Sequence, residues 1–331
     1  HANDGLLNQR LDVPYIKKNN SFIKSSWEEA FRIIKDKLTQ TSKDKICGFV
    51  GDMTNMETSY SFKELFLKVL QTNNYESRTN YSHLDTSDRK NYLFNTKIKN
   101  IEESDLIILI GTNPRFEATI LNSRIRKIFI KNKTEIFSSN DVGDLTYPYK
   151  VINDNTEIIK NISEGNHDLS EKIKNAAKPM IIFGQSSLLL KSFGLILESL
   201  KKYLLKNNKI SDEWNALNII SNNASTVGSF DLGIYKNKNK NNENEVLKNL
   251  QNNIYEVVYL LGVDSLNFDK KNEFVIYQGS HGDKGADLAD IILPGAAFTE
   301  QDGHYTNLEG VIQKAYKASY PPGEAKEDWL I

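Results

Sequence analysis

The chain has 331 residues, of which 39% are hydrophobic and 26% are charged, a composition that can bury the core of one large or two ordinary domains. The 42 basic and 43 acidic residues nearly cancel, so no phosphate-binding surface is indicated and nucleic acid is not expected as a partner. The apolar runs are far shorter than the roughly 20 residues that cross a bilayer, so no membrane span is expected.

Residues 1–25 form a polar lead-in segment without clear periodicity. The chain begins with His1 rather than methionine, so we expect a processed or partial polypeptide. Apolar side chains in this segment could anchor it on another protein: Leu6, Leu7, Leu11, Val13, Tyr15 and Ile16. We therefore predict that the segment docks on a separate polypeptide, and that residues 1–23 can be removed without unfolding the rest.

Short apolar runs alternate with longer amphipathic stretches from residue 26 onward, a pattern typical of parallel strands separated by helices. Buried strands are predicted at Ile46–Val50, Leu106–Ile110, 135–137, 180–183, Val257–Leu261, 274–277 and 291–293. Helices are predicted at 27–38 with Ser26 as cap, at 59–70 and at 187–204. The run 236–245 contains no apolar residue and is predicted to be a solvated loop. The fold class is therefore α/β.

Cys47 is the single cysteine and lies in a predicted buried strand, so it is interpreted as a small core hydrophobe. One thiol can form no intramolecular disulfide and no iron–sulfur site, which usually needs four thiolates. Structural zinc commonly needs several Cys and His ligands at close spacing. We therefore predict no metal site in this chain.

The stretch SDLIILIGTNPRFEATILNSRIRK, residues 104–127, joins a strand end to a helix start. Asn113 suits the cap of that helix and Pro114 suits its first turn. Ligands of open α/β sheets bind at the carboxyl ends of strands, so Gly111, Asn113 and Arg115 are candidate pocket residues. Neither G-x-G-x-x-G nor G-x-x-x-x-G-K-[ST] follows this strand. A structural role is favoured over ligand binding.

A glycine-rich stretch near the C-terminus supplies the other candidate pocket residues, Gly279, His281 and Gly282. A metal site could be imagined from His281, Asp283, Asp287 and Asp290, but their spacing fixes no geometry and capping or solvated roles are favoured. Acid–base chemistry could be imagined from Glu300, Asp302, His304 and Glu309, but no catalytic motif accompanies them. We predict no catalytic residue.

Three long runs resemble a known family: GTNPRFEA, VIYQGSHGDKGADLADIILPGAAFTEQDGHYTNLEG and PPGEAKEDW. They resemble the C-terminal, molybdopterin-oxidoreductase-like part of the largest peripheral-arm subunit of respiratory complex I. Together with stretches of weaker similarity, these runs span the chain from Ser26 to Trp329. The resemblance implies two Rossmann-like domains with mainly parallel sheets, related to the formate dehydrogenase and DMSO reductase fold. Residues 26–75 and 240–320 would form one discontinuous domain, residues 76–239 the inserted domain, and residues 321–331 a C-terminal tail.

Active members of that family bind molybdenum in a pterin dinucleotide, whereas the complex I members are understood to have lost this cofactor. The resemblance therefore implies a scaffold without its own redox cofactor, in a complex that transfers electrons from NADH to ubiquinone coupled to proton translocation. The iron–sulfur clusters and FMN would belong to partner subunits. The alternative is a free-standing molybdopterin-type oxidoreductase.

The resemblance also implies partners and a location. The main partner would be the cluster-binding N-terminal half of the same subunit, as a separate or cleaved polypeptide, together with other peripheral-arm subunits. Only 7 of the 42 basic residues are arginine and asparagine is abundant, which is typical of A+T-rich genomes such as those of organelles. We expect the matrix side of the mitochondrial inner membrane, with the bacterial cytoplasmic face as the fallback.

Overall fold

A computed structural model describes residues 5–80, 82–152, 156–235 and 244–331. Its strands are Tyr15–Lys18 (β1), Ser21–Lys24 (β2), Ile46–Val50 (β3), Tyr75–Glu76 (β4), Leu106–Ile110 (β5), Glu135–Ser138 (β6), Lys150–Val151 (β7), Pro179–Phe183 (β8), Leu217–Ile219 (β9), Val257–Leu261 (β10), Phe274–Gly279 (β11), Ile291–Pro294 (β12), Gly303–Thr306 (β13) and Ile312–Ala315 (β14). Its helices are Trp27–Gln40 (α1), Met56–Glu64 (α2), Pro114–Glu117 (α3), Thr119–Asn132 (α4), Thr156–Glu164 (α5), Asp168–Asn175 (α6), Gln185–Leu188 (α7), Phe193–Lys206 (α8), Thr226–Asp231 (α9), Glu245–Gln251 (α10) and Lys284–Leu288 (α11).

Two mainly parallel sheets form the framework, which confirms the predicted α/β class. The first has the order β2-β1-β12-β11-β10-β3-β4 and is parallel from β12 to β4. The second has the order β7-β6-β5-β8-β9 and is parallel throughout. Strands β3, β5 and β8 are buried along their whole length, because side chains pack on both faces of each sheet.

The second sheet is inserted in sequence between β4 and β10 of the first. The strands of the second sheet lie within residues 106–219, and those of the first lie on either side of that range. This order is compatible with the discontinuous and inserted domains that the family resemblance implies. The domain boundaries themselves stay predictions.

Side chains of β3 alternate between two separate cores on opposite faces of the first sheet. Cys47 and Phe49 pack in one core, and Ile46 and Val50 pack with Phe62 of α2 in the other. This alternation follows from the two-residue period of a strand. The predicted burial of Cys47 is confirmed, since its side chain is fully enclosed.

The predicted strands are confirmed, and the helix predictions need local corrections. The Ser26 side chain accepts a hydrogen bond from the backbone N–H of Glu29 and caps α1 as predicted. Helix α2 begins three residues before the predicted position, because Asn55 caps it by accepting from the Thr58 N–H at 2.9 Å. The helix predicted at 187–204 is instead two helices, α7 and α8.

The predicted loop at 236–245 lies mostly outside the described residues, which resume at Asn244. This residue caps α10, and Glu245 is the first residue of the helix. The loop prediction is therefore wrong at Glu245, and Asn244 has loop backbone but a buried rather than a solvated side chain. The described helices include none that is both long enough and apolar enough to cross a membrane.

The lead-in segment is part of the first sheet, contrary to the expectation that it lacks regular structure. Strand β1 pairs antiparallel with β12, and β2 pairs with β1 through a turn at Asn19 and Asn20, both with positive φ. The side chains of Leu11 and Ile16 are buried within this chain, so they are not available as anchors for another protein. Removing residues 1–23 would expose the edge of β12, and we now expect it to destabilise the first sheet.

Candidate functional site

Residues that follow the carboxyl ends of four strands line one small cavity between the two sheets. Asp52 follows β3, Ser77 follows β4, Gln185 follows β8 and Ser221 follows β9. This is the position at which open α/β sheets bind ligands. The cavity has a volume of only about 50 Å³. We call it the inter-sheet cleft.

A buried ion pair occupies one wall of the inter-sheet cleft. The Arg78 guanidinium donates to the Glu76 carboxylate at 2.6 Å, and both side chains are almost wholly inaccessible to solvent. Glu76 also accepts from the backbone N–H groups of Ser77 and Arg78, and the guanidinium donates to the carbonyl of Ser82. These bonds hold the long arginine side chain in the space between the strand ends.

Two acidic side chains near the strand ends have perturbed protonation. Burial raises the pKa of the Asp52 carboxyl, although hydrogen bonds from Ser265 and Asn223 oppose this shift. Burial also raises the pKa of the Asp264 carboxyl, which accepts from the Gly285 N–H and from the Tyr277 hydroxyl. Both carboxyls are thus held by neutral donors of their own chain.

The inter-sheet cleft does not fit a pterin dinucleotide. Pockets for ligands of that class have volumes of roughly 300–1,000 Å³, several times the volume found here. Cys47 could not supply a metal ligand to the cleft, because its side chain is enclosed in the core beside Val258. Burial raises the pKa of its thiol well above the ordinary value, which disfavours the thiolate that binds metals.

Gly111, Asn113 and Arg115 form a turn that is satisfied by its own chain. Gly111 has φ +57°, and its carbonyl accepts from the hydroxyl of Ser186 at 2.6 Å. The Asn113 side chain accepts from the Arg115 N–H, which confirms the predicted cap, and Pro114 takes the first turn. The Arg115 guanidinium pairs with Asp144 at 2.8 Å. None of the three candidate residues lines the inter-sheet cleft.

Gly279, His281 and Gly282 lie at the end of β11, where the lead-in segment covers them. The Gly282 N–H donates to the Gln9 carbonyl at 2.8 Å, and His281 Nε2 lies 3.0 Å from the Gly5 carbonyl. These three residues therefore lie at the end of β11 in the first sheet, whereas Gly111, Asn113 and Arg115 follow β5 of the second sheet. The described hydrogen bonds do not join the two sets, so they do not form one pocket.

The residues considered for metal binding have separate structural contacts. The Asp290 carboxylate accepts from the Lys270 ammonium at 2.7 Å and from the Val275 N–H at 2.8 Å. The Asp283 carbonyl accepts from the Asp287 N–H in the first turn of α11. In the described ranges no three His, Cys, Asp or Glu side chains are placed to hold a metal ion together.

The side chains considered for acid–base chemistry also serve different contacts. Glu300 forms a bidentate ion pair with Arg10, and Asp302 accepts from the Lys317 N–H. His304 pairs with Glu57. The remaining member, Glu309, accepts from the Ile98 N–H. These contacts point to a structural role for each of the four.

The sequence did not predict three residues at the inter-sheet cleft: Asp52 and Arg78, which line it, and Glu76, which pairs with Arg78. Their proximity results from tertiary contacts between strand ends far apart in the chain. The sequence contained one signal for this site: Arg78 is one of only seven arginines in a chain whose other basic residues are lysines. A retained arginine is expected where planar, bidentate pairing is required.

Comparison with solved structures shows the fold of this chain. The formyltransferase/hydrolase complex from Methylorubrum extorquens matches with a TM-score of 0.68, 11% identity and coverage of 96% of both chains. Acetylene hydratase from Pelobacter acetylenicus matches with a TM-score of 0.55 and 13% identity, covering 98% of this chain and 60% of that one.

Comparison with curated sequences shows much closer relatives. A subunit of the NADH-quinone oxidoreductase of Rickettsia bellii is 41% identical over 329 residues, covering 99% of this chain and 46% of the relative. The NADH-ubiquinone oxidoreductase 75 kDa subunit of Reclinomonas americana is 38% identical over 346 residues, covering 99% of this chain and 49% of the relative. The chain thus spans about half the length of these relatives. The sequence pattern of the family described as molybdopterin oxidoreductase matches residues 10–331, and the chain therefore belongs to that family.

Proposed function

We propose that this chain is a scaffold part of the peripheral arm of respiratory complex I and carries no redox cofactor of its own. The complex transfers electrons from NADH to a quinone and couples this transfer to proton translocation. The assignment to complex I rests on relatives that are subunits of NADH:quinone oxidoreductases. The scaffold role rests on the closed inter-sheet cleft.

The observation that carries the scaffold role is the Arg78–Glu76 ion pair in a cleft of about 50 Å³. A cofactor would have to displace the arginine and break its buried ion pair with Glu76. Breaking a buried ion pair costs about 3–5 kcal/mol, which opposes cofactor entry.

The proposal assigns iron–sulfur clusters and FMN to partner subunits. The cluster-binding N-terminal half of the same subunit is the main partner, as a separate or cleaved polypeptide, and other peripheral-arm subunits are further partners. The relatives support this, because about half of their length has no counterpart in this chain. The proposed location is the matrix side of the mitochondrial inner membrane, or the cytoplasmic face of a bacterial membrane.

The test is purification of the native assembly through an antibody against this chain. We expect NADH:quinone reductase activity to co-purify with it, and mass spectrometry to identify a cysteine-rich polypeptide in equal amount. The same mass spectrometry tests whether peptides of the cluster-binding half belong to the same polypeptide as residues 1–331. An assembly without a cluster-bearing partner and without NADH oxidation would contradict the proposal, and a free-standing oxidoreductase would then be favoured.

A further inference from the structure

A second cavity, of about 230 Å³, lies between α2, the ends of β10 and β11, and residues 328–331. Phe62 and Leu65 form its apolar wall on the helix side, and Leu261 forms the wall on the sheet side. The polar side chains that line it include Thr58 and Asp328. It is distinct from the inter-sheet cleft, and we call it the α2 pocket.

Among the described residues, two side-chain amides hold the Asp328 carboxylate in the α2 pocket. One oxygen accepts from Gln278 Nε2 at 3.0 Å, and the other accepts from Gln301 Nε2 at 3.0 Å. Throughout the described part of the chain, no lysine, arginine or histidine nitrogen forms an ion pair with Asp328 within 4 Å. Each carboxylate oxygen can accept a further hydrogen bond. This acid therefore lacks a countercharge within the described ranges.

The electrostatics of Asp328 favour a cation in the α2 pocket. Burial raises the pKa of its carboxyl to about 6, so the group is mostly ionised near pH 7.5 despite the cost of desolvation. A cation placed against it would offset that cost.

One hydroxyl among the residues that line the α2 pocket has no hydrogen-bond partner in the described part of the chain. The hydroxyl of Thr58 is buried, and no described atom forms a hydrogen bond with its oxygen. Buried hydroxyls are normally paired, so this oxygen is available as an acceptor for a donor that enters the pocket. Thr58 and Asp328 both line the α2 pocket.

The edge of the α2 pocket has the composition of a protein interface. Trp329 and Leu330 line the pocket, yet 47% of the Trp329 surface and 57% of the Leu330 surface remain exposed to solvent. Aromatic side chains beside a pocket are common at the centres of protein interfaces. This edge favours a polypeptide over a small free cation.

We propose that the α2 pocket receives a lysine side chain from the part of the subunit that this chain does not contain. The apolar wall fits the alkyl stem of lysine, and the acceptors fit its ammonium group. The relatives supply the reason for this occupant, because more than half of their length lies outside the region that matches this chain. The inference rests on the proposed function and names a contact within it.

The test is zero-length carbodiimide cross-linking of the native complex, which couples a carboxylate to a lysine amine in contact with it, followed by peptide mass spectrometry. We expect a link between Asp328 and a lysine outside residues 1–331, within a polypeptide of the same assembly. The Lys270–Asp290 ion pair, 2.7 Å apart, is the internal positive control. The proposal is overturned if Asp328 links only to lysines of residues 1–331, or stays unlinked while the control pair links.

Two variants of the C-terminal segment give an independent readout. Asp328→Asn should abolish the cross-link and weaken retention of the partner polypeptide at least tenfold, because it removes the buried charge. Glu324→Gln, at an exposed position of the same segment, should leave both unchanged. The proposal would be contradicted if the two variants retained the partner polypeptide equally well. An intact NADH-oxidising complex without the link refutes only the lysine contact, whereas a link inside an assembly without NADH oxidation refutes only the proposed function.

Discussion

Substituting Arg10 should destabilise the first sheet strongly, because its guanidinium joins the lead-in segment to the C-terminal part of the chain. It donates twice to Glu300, at 2.6 and 2.5 Å, and also to the carbonyls of Ser280 and Leu6, at 3.1 and 3.0 Å. The two side chains of the ion pair are only 10% and 6% exposed. Arg10→Met keeps the apolar stem and removes all four hydrogen bonds.

The size of the stability loss follows from the contacts that remain after Arg10→Met. Glu300 would be left buried and without a countercharge, and its one described hydrogen bond would come from the Ala297 N–H. Removing one partner of a buried pair costs about 3–5 kcal/mol, a large part of a typical stability of about 5–15 kcal/mol. With a denaturant slope of about 1–3 kcal/mol per molar urea, the midpoint should fall by at least about 1 M.

The assay is urea denaturation at pH 7.5, followed by far-UV circular dichroism, with hydrogen exchange measured by mass spectrometry. We expect β1 and β12 to lose protection while β5 and β8 keep theirs, because the ion pair supports only the first sheet. Arg32→Ala is the matched control, since Arg32 pairs with Glu29 on the exposed face of α1. A midpoint for Arg10→Met equal to that of Arg32→Ala would refute the reasoning.

Three further predictions concern buried groups. Burial raises the pKa of Asp328 from 3.8 to about 6, so the free energy of unfolding of the isolated wild-type chain should fall by roughly 2 kcal/mol relative to Asp328→Asn as the pH rises from 4 to 7; parallel pH profiles of the free energy of unfolding would contradict this. Cys47 should resist thiol reagents in the native chain and react once the chain is unfolded, and rapid native labelling would show that the core assignment is wrong. Arg78→Ala should cost about 3–5 kcal/mol in urea denaturation because Glu76 loses its countercharge, and a loss below about 1 kcal/mol would show that the pair is not fully enclosed.

Most of the fold could be predicted where burial alone fixes the structure. Strands β3, β5 and β10 are continuous apolar runs, because parallel strands covered on both faces need apolar side chains at every position. The caps at Ser26 and Asn113 were also predicted. A capping side chain accepts from a backbone N–H only two or three residues further along the chain, so the local sequence is enough to predict it.

The β1–β2 hairpin was not predicted because its sequence resembles a loop. All four residues of β2 are exposed, so burial leaves no apolar pattern there. The hairpin instead depends on pairing with β12, far along the chain. A local signal was present, since Asn19 and Asn20 have the positive φ values of a two-residue hairpin turn and asparagine tolerates them.

The site could be predicted less well than the fold. The sequence separates Arg10 from Glu300 by 290 positions, and Gly282 is separated by a similar distance from Gln9, whose carbonyl accepts from its N–H. A local pattern carries no information about such contacts. The glycines at 111, 279 and 282 therefore suggested a pocket, whereas they lie in turns and close backbone approaches that the chain itself fills.

Elemental analysis of the native assembly, captured through this chain and measured by plasma mass spectrometry, addresses the scaffold role and the complex I assignment together. The proposed function predicts several iron atoms per chain, from the clusters of partner subunits, and neither molybdenum nor tungsten above background. Molybdenum or tungsten bound in equal amount to this chain would contradict the closed cleft, and an assembly without iron would contradict the assignment to complex I.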